Sequence, residues 1–170
     1  TSRIPGLALG IVKDGEIAYL KGFGHAGNGR ALTPQTPFLI GSLSKSFTAL
    51  AAMQLVEAGL LDLDAPVQQY LPWFEMGGDF DVSKMTVRHL LVQTSGLPQE
   101  AGLAILAGNN TFTLEDEIRA LKDIDLAHSP GEQYIYSNTN YNILGLIIEN
   151  ITGKGYRSHV ENEIFQPLDM

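Results

Sequence analysis

The sequence predicts an α+β protein, a β-hairpin near the N-terminus followed by a mainly helical region. Three observations carry that expectation. Two β-rich runs, "LALGIV" at 7–12 and "EIAYLKGF" at 16–23, flank Lys13-Asp14-Gly15, and Asp-Gly between such runs marks a tight hairpin turn because glycine accepts positive φ without steric cost. From Ser44 onward apolar residues recur at helical spacing between recognisable caps. An apolar share of 44% with 18% charged residues suits a packed core and not a disordered chain.

After the hairpin, "HAGNGRALTPQTP" at 25–37 is rich in Gly, Thr and Pro and reads as an irregular crossing. The first helix starts near Ser44 and places Phe47, Leu50, Ala51 and Leu55 on one face, with Gly59 where a left-handed C-cap belongs. "LLDLDAPVQQYLP" reads as a turn and a short helix begun by Pro66 at its first position. Thr86 caps a helix through Leu90 and Leu91, ended by "TSGLP" at 94–98. The stretch 99–110 is small and polar and predicts a loop placed to cover a site. Thr113 caps the next helix, whose first turn carries Glu115, Asp116 and Glu117 at its positive end. "SPGEQYIYSN" at 129–138 leads into a helix with an apolar face of Tyr141, Leu144, Ile148 and Ile151, closed by Gly153. Without an internal repeat or a linker, the expectation is a single domain over 1–170, with the hairpin at 7–23 and the helical region at 44–165.

Eleven basic against nineteen acidic residues give a net charge of −8. A phosphate-tracking surface needs the opposite sign, so nucleic acid is not an expected partner. No apolar run reaches the roughly 18 residues of a membrane span. Zero cysteines remove disulfides, thiolate metal sites and a cysteine nucleophile. His25, His89, His128 and His159 show no metal-ligand spacing; surface or turn roles are expected for them, and no metal or cofactor is called for. Asp62 and Asp64 read as turn and cap residues, and Trp73 and Phe74 as core. No Gly-x-Ser-x-Gly elbow is present.

The chemistry concentrates in "FLIGSLSKSFTAL" at 38–50. Ser42 and Lys45 are three apart, so a helix beginning near Ser42 brings hydroxyl and amine onto one side. A serine hydroxyl attacks only when a base takes its proton. Lysine can be that base if burial beside a helix N-terminus lowers its pKa from about 10.4, and the same N-terminus offers N–H groups to an oxyanion. Capping is the alternative: serines are favoured caps, Ser44 above all here, and about one Ser-x-x-Lys is expected by chance in a chain of this length.

The surrounding phrases add to the motif. "PFLIGSLSKSFTAL" resembles the active-site segment of the serine β-lactamase and penicillin-binding protein superfamily, in its class C-like branch. Ninety-four residues after Ser42, "PGEQYIYSNTNYNILGLIIENITG" is similar to that branch's Tyr-x-Asn segment. "GLLDLDAPVQQYLP", "LLVQTSGLP" and "IPGLALGIVKDGEIAYLKGFGHA" resemble its other phrases, so the likeness runs almost end to end. The resemblance implies a β-lactamase/transpeptidase-like fold and a serine hydrolase acting through an acyl-enzyme. Ser42 would be the nucleophile, Lys45 its neighbouring base or proton relay, Tyr136 the phenol that passes a proton to the leaving group, and Asn138 the side chain that orients Lys45 and substrate. Either Lys45 or Tyr136 could be the resting base. The substrate would be a small molecule or peptide with a scissile amide, lactam or ester, and the setting periplasmic or extracellular more than cytoplasmic. Taken alone, Tyr136 and Asn138 read as a buried tyrosine before a helix capped by Ser137 or Asn138.

Several departures stand beside the likeness. The family's third element, Lys-Thr-Gly or His-x-Gly, does not follow Asn138. "TGKG" at 152–155 has the wrong order, and His25-Ala26-Gly27 precedes the serine in a glycine-rich turn. Gln93 stands where the family often has His, and Asp169 where glycine is usual. The expectation is an N-terminal portion of a longer protein that lacks the C-terminal strands, with a hairpin edge that pairs with a strand-completing chain or a second copy. A non-catalytic member serving binding or assembly is the alternative function.

Overall fold

A computed structural model describes residues 4–101 and 113–170. Most of the loop expected over 99–110 therefore lies outside the described residues. The chain divides into two compact units, one up to Gly41 and one from Ser42 to Met170.

The first unit is built on strands β1 (Gly6–Lys13) and β2 (Glu16–Gly24), paired antiparallel. Asp14 and Gly15 both take positive φ, 53° and 82°, the geometry of a two-residue hairpin turn that follows the strand twist. The register sets Leu7 opposite Phe23, Leu9 opposite Lys21 and Ile11 opposite Tyr19, with an irregularity between Ile11 and Val12. Glycines on the other face admit Leu32, which is buried. A Cβ on Gly6 would lie 2.5 Å from Leu32 Cδ1, and one on Gly22 would lie 2.3 Å from the Leu32 carbonyl oxygen. The expected irregular crossing contains a tight turn, in which Ala26 N–H donates to Arg30 O and Arg30 N–H to Gly27 O. Among the described residues the sheet has two strands, and Leu7, Leu9, Ile11, Tyr19, Leu20 and Phe23 remain exposed.

The second unit is helical. After a 3-10 turn at Gly41–Leu43 come α1 (Ser44–Glu57), α2 (Val67–Tyr70), α3 (Val87–Leu91), α4 (Leu114–Arg119), α5 (Asn138–Thr152) and α6 (Tyr156–Val160). Helix α5 is the hub and packs against α1, α2, α3, α4 and α6. Its Ile143, Leu144, Ile147 and Ile148 are fully enclosed with Leu71, Phe74, Met85, Leu90, Leu97, Ile118 and Leu121.

The expected caps mostly hold. Thr86 Oγ1 accepts from His89 N–H while Thr86 N–H donates to His89 Nδ1, and Thr113 and Asp116 repeat the reciprocal arrangement. Gly59 and Gly153 are left-handed, at φ 72° and 66°. Asp64 N–H donates to Asp62 Oδ1 in a local turn, and the Asp64 carboxylate pairs with Arg88 at 2.7 and 2.8 Å.

Four expectations need correction. Leu50 is exposed, because α1 turns Thr48, Ala51, Ala52 and Leu55 inward instead. Ser44 is not the cap of α1: the preceding 3-10 turn already carries helical angles into Leu43, which takes that position. Pro66 sits one residue before α2, with an extended ψ of 146°. His128 and His159 are buried and not surface residues. Phe74 is core as expected, whereas Trp73 is partly buried and stacks under the Arg119 guanidinium at 3.8 Å.

Candidate active site

Ser42 lies in the 3-10 turn that feeds α1, and Lys45 follows one turn later on the helix. Tyr136 lies in the segment that leads into α5, two residues before its first residue Asn138, and the intervening Ser137 is extended. That segment is fixed by a backbone ladder from the turn after α3. Ala127 N–H donates to Gly96 O, Gly131 N–H to Thr94 O and Ile135 N–H to Gln93 O, at 2.8, 2.7 and 3.0 Å. Gly96 is required in that turn: its φ is 88°, and a Cβ there would stand 2.3 Å from His128 O.

The four expected residues converge. Ser42 Oγ and Tyr136 OH share a hydrogen bond of 2.6 Å across 94 residues of sequence. Lys45 Nζ donates to Asn138 Oδ1 at 2.6 Å and, more weakly, to Ser42 Oγ at 3.4 Å. Ser42 and Asn138 are exposed and Tyr136 and Lys45 half-buried, so the cluster lies at the surface of the helical unit.

Tyr141 belongs to this group although the sequence presented it only as part of an apolar helix face. The Lys45 ammonium lies over the Tyr136 ring at 5.0 Å and the Tyr141 ring at 5.6 Å. Tyr141 OH donates to Leu91 O at 3.1 Å, which pins the ring. Its signal was available, since a helix beginning at Asn138 presents residue 141 on the same side.

The two phenols of the cluster differ in their electrostatics. The Tyr136 phenol is held below its ordinary value, first by the Lys45 ammonium beside it and then by the Ser42 hydroxyl, with partial burial opposing. Tyr141 moves the other way, pushed up by burial and by its phenolic neighbours. Two tyrosines within reach of one ammonium are thus shifted in opposite directions. Among the described residues no group of His, Asp and Glu side chains is placed to hold a metal ion.

A serine, a lysine and a phenol 94 residues away are thus brought to one point within the helical unit. Residues 1–170 match the beta-lactamase family model, and the chain belongs to that family. It is 37% identical to the protein flp of Staphylococcus aureus (strain N315) over 170 residues, covering 99% of this chain and 34% of that one. Of solved structures, EstCE1, a hydrolase with promiscuous acyltransferase activity, superposes with a TM-score of 0.88 at 28% identity, over 98% of this chain and 47% of its own. D-amino acid amidase from Ochrobactrum anthropi SV3 superposes with a TM-score of 0.84 at 31% identity, over 98% and 46%. The chain thus spans about a third of the length of this curated relative and under half of each of these two structural neighbours. Hydrolases, amidase among them, are its structural neighbours.

Proposed function

We propose that this chain carries the acylating residues of a serine hydrolase, with Ser42 as nucleophile, Tyr136 as the proton-transfer group and Lys45 and Asn138 as its electrostatic and positional support. The observation that carries this reading is the 2.6 Å contact between Ser42 Oγ and Tyr136 OH, made beside the Lys45 ammonium.

The chemistry follows from the distances. Tyr136, as phenolate, is better placed to take the Ser42 proton than Lys45, whose closer partner is Asn138. Ser42 Oγ then bonds to the substrate carbonyl carbon, and the carbonyl becomes an oxyanion for which the Ser42 N–H is the proposed donor. As the bond from carbon to nitrogen or oxygen breaks, Tyr136 returns its proton to the leaving group and the acyl group stays on Ser42. Water attacks the ester carbon and gives a proton to Tyr136. Tyr136 passes it to Ser42 Oγ as the bond from carbon to Oγ breaks, so the acid leaves with the Ser42 hydroxyl and the Tyr136 phenolate both restored. Throughout, Lys45 remains the cation that favours phenolate over phenol.

The substrate class proposed is a carbonyl compound with an amide, lactam or ester leaving group. The D-amino acid amidase and the acyltransferase activity among the neighbours agree with an acyl group held on the enzyme and passed on. The chain spans 34% of the length of the protein flp, and full turnover is proposed to need a second oxyanion donor of the kind that the rest of so long a protein could supply.

Intact mass after incubation with a β-lactam or an activated ester tests the reading. An adduct of one acyl group is expected, absent in Ser42→Ala and slowed on the order of 10²-fold or more in Tyr136→Phe. Acylation should rise with pH through a midpoint below the ordinary phenol value of about 10, because the unprotonated form is the base. No adduct with any acylating reagent would replace this reading with a binding role.

A further inference from the structure

We propose that Gln93 is the positioning residue for Tyr136: it grips the backbone on both sides of the phenol-bearing residue and so sets the contact with Ser42. The proposal rests on the reading of Ser42 and Tyr136 given above, and it deepens that reading.

The first observation is conformational. Helix α3 ends at Leu91, and two residues later Gln93 takes φ 63°, in the left-handed region. That is the position after a helix where glycine is usual, because a Cβ is strained there. Gln93 is nevertheless a long polar residue and is 6% exposed. A side chain that carries both backbone strain and burial must be held by its contacts.

Those contacts form the second observation. Ile135 N–H donates to Gln93 O at 3.0 Å. Ser137 N–H donates to Gln93 Oε1 at 2.9 Å, and Asn140 Nδ2 donates to the same oxygen at 2.6 Å. The first two bonds bracket Tyr136, and the third ties down the opening turn of α5, which presents Asn138 to Lys45. Ser137, the N-cap of α5, makes no capping hydrogen bond through its side chain. The helix start is therefore anchored from outside, by Gln93. Ser137 and Asn140 are wholly enclosed, so their donors have no water to turn to if the acceptor is removed.

The chemistry demanded of residue 93 is narrow. Two N–H groups converge on one atom, which must be an acceptor of about the reach of a carboxamide oxygen. A carboxamide serves at every pH, because it does not titrate. A neutral imidazole could accept in its place, and an imidazolium could not.

The test compares Gln93→Met, Gln93→Gly and Gln93→His in the same chain. Methionine keeps the bulk without the acceptor, and glycine relieves the backbone while removing the grip, so at least one of the two should fold. Two readouts are taken: the acylation rate of Ser42 by intact mass, and the titration of the Tyr136 phenol by ¹³Cζ-tyrosine NMR, assigned with Tyr136→Phe. Methionine and glycine should lower the acylation rate on the order of 10²-fold and move the phenol midpoint up toward its ordinary value. Histidine should restore the rate only above the imidazole range of about 6.5 and lose it below. Wild-type titration in both the Met and Gly variants overturns the proposal, as does a loss of rate that leaves the phenol midpoint in place. If the wild-type chain takes no acyl group, the nucleophile reading fails while the phenol titration still decides the grip on Tyr136.

Discussion

The two units of this chain use apolar residues at similar density and to opposite effect. In the unit up to Gly41, Ile11 and Leu20 are 49% and 47% exposed, although both lie in a well-registered strand pair. In the unit from Ser42, Ile143, Leu144, Ile147 and Ile148 are sealed by helices on several sides. A helix needs one covered stripe, and neighbouring helices in the same chain supply it. A two-stranded ribbon has two faces and edges that it cannot cover itself. Order and burial are thus separate properties: hydrogen bonding and turn chemistry give the hairpin its register, while the helical unit also has a core.

The largest effect expected from that contrast is on stability. Ile147→Ala should cost roughly 2–5 kcal/mol, because it opens a cavity in a closed core, and Ile11→Ala should cost under about 1 kcal/mol. Urea titration followed by circular dichroism measures both. A large cost at Ile11 would mean that the strand faces are covered in solution, and light scattering would then show a second copy or a larger assembly.

A somewhat smaller difference should separate two glycines. Gly96→Ala puts a methyl group against the His128 carbonyl at an unfavourable φ and should cost roughly 2–4 kcal/mol. Gly10→Ala meets only Leu20 Cδ1, at 3.4 Å, and should be near neutral. Parity between the two would remove the claim that the turn after α3 is a rigid platform for Tyr136.

Hydrogen exchange should rank the units in the same direction. The hairpin amides, with one apolar face exposed and Leu32 against the other, should exchange well before those of α5. Protection of β1 equal to that of α5 would break the comparison.

The smallest effect is a pH dependence in the helical unit. Burial holds His89 below its ordinary value, and its Nδ1 must be unprotonated to accept from Thr86 N–H. A base whose folded pKa is lowered contributes stability above its unfolded value of about 6.5 and loses it as pH falls through the folded one. Stability should therefore decline modestly in that window, and His89→Gln should flatten the decline.

Much of the local structure was legible in the residues. Asp14-Gly15 specified the turn, Thr86 and Thr113 the caps, and Gly59 and Gly153 the helix ends, because each acts within four residues of itself. Leu50 was misread because helical spacing gives a face and not a direction, and α1 turned the adjacent stripe inward. His128 and His159 were misread because a polar residue carries no mark of what packs over it.

For the site, the sequence by itself placed Ser42 and Lys45 within reach of each other, since residues three apart on one helical turn cannot be distant. It also specified the segment that carries Tyr136 and Asn138, although the roles of those two residues came from resemblance. Only the tertiary structure brought that segment to the serine. It did so through the ladder from the turn after α3, and it added Tyr141 and Gln93 to the cluster. The reason is range. Caps, turns and one-turn pairs are decided by a few neighbouring dihedrals, whereas a contact across 94 residues depends on how whole helices pack, to which no single stretch of residues holds the key.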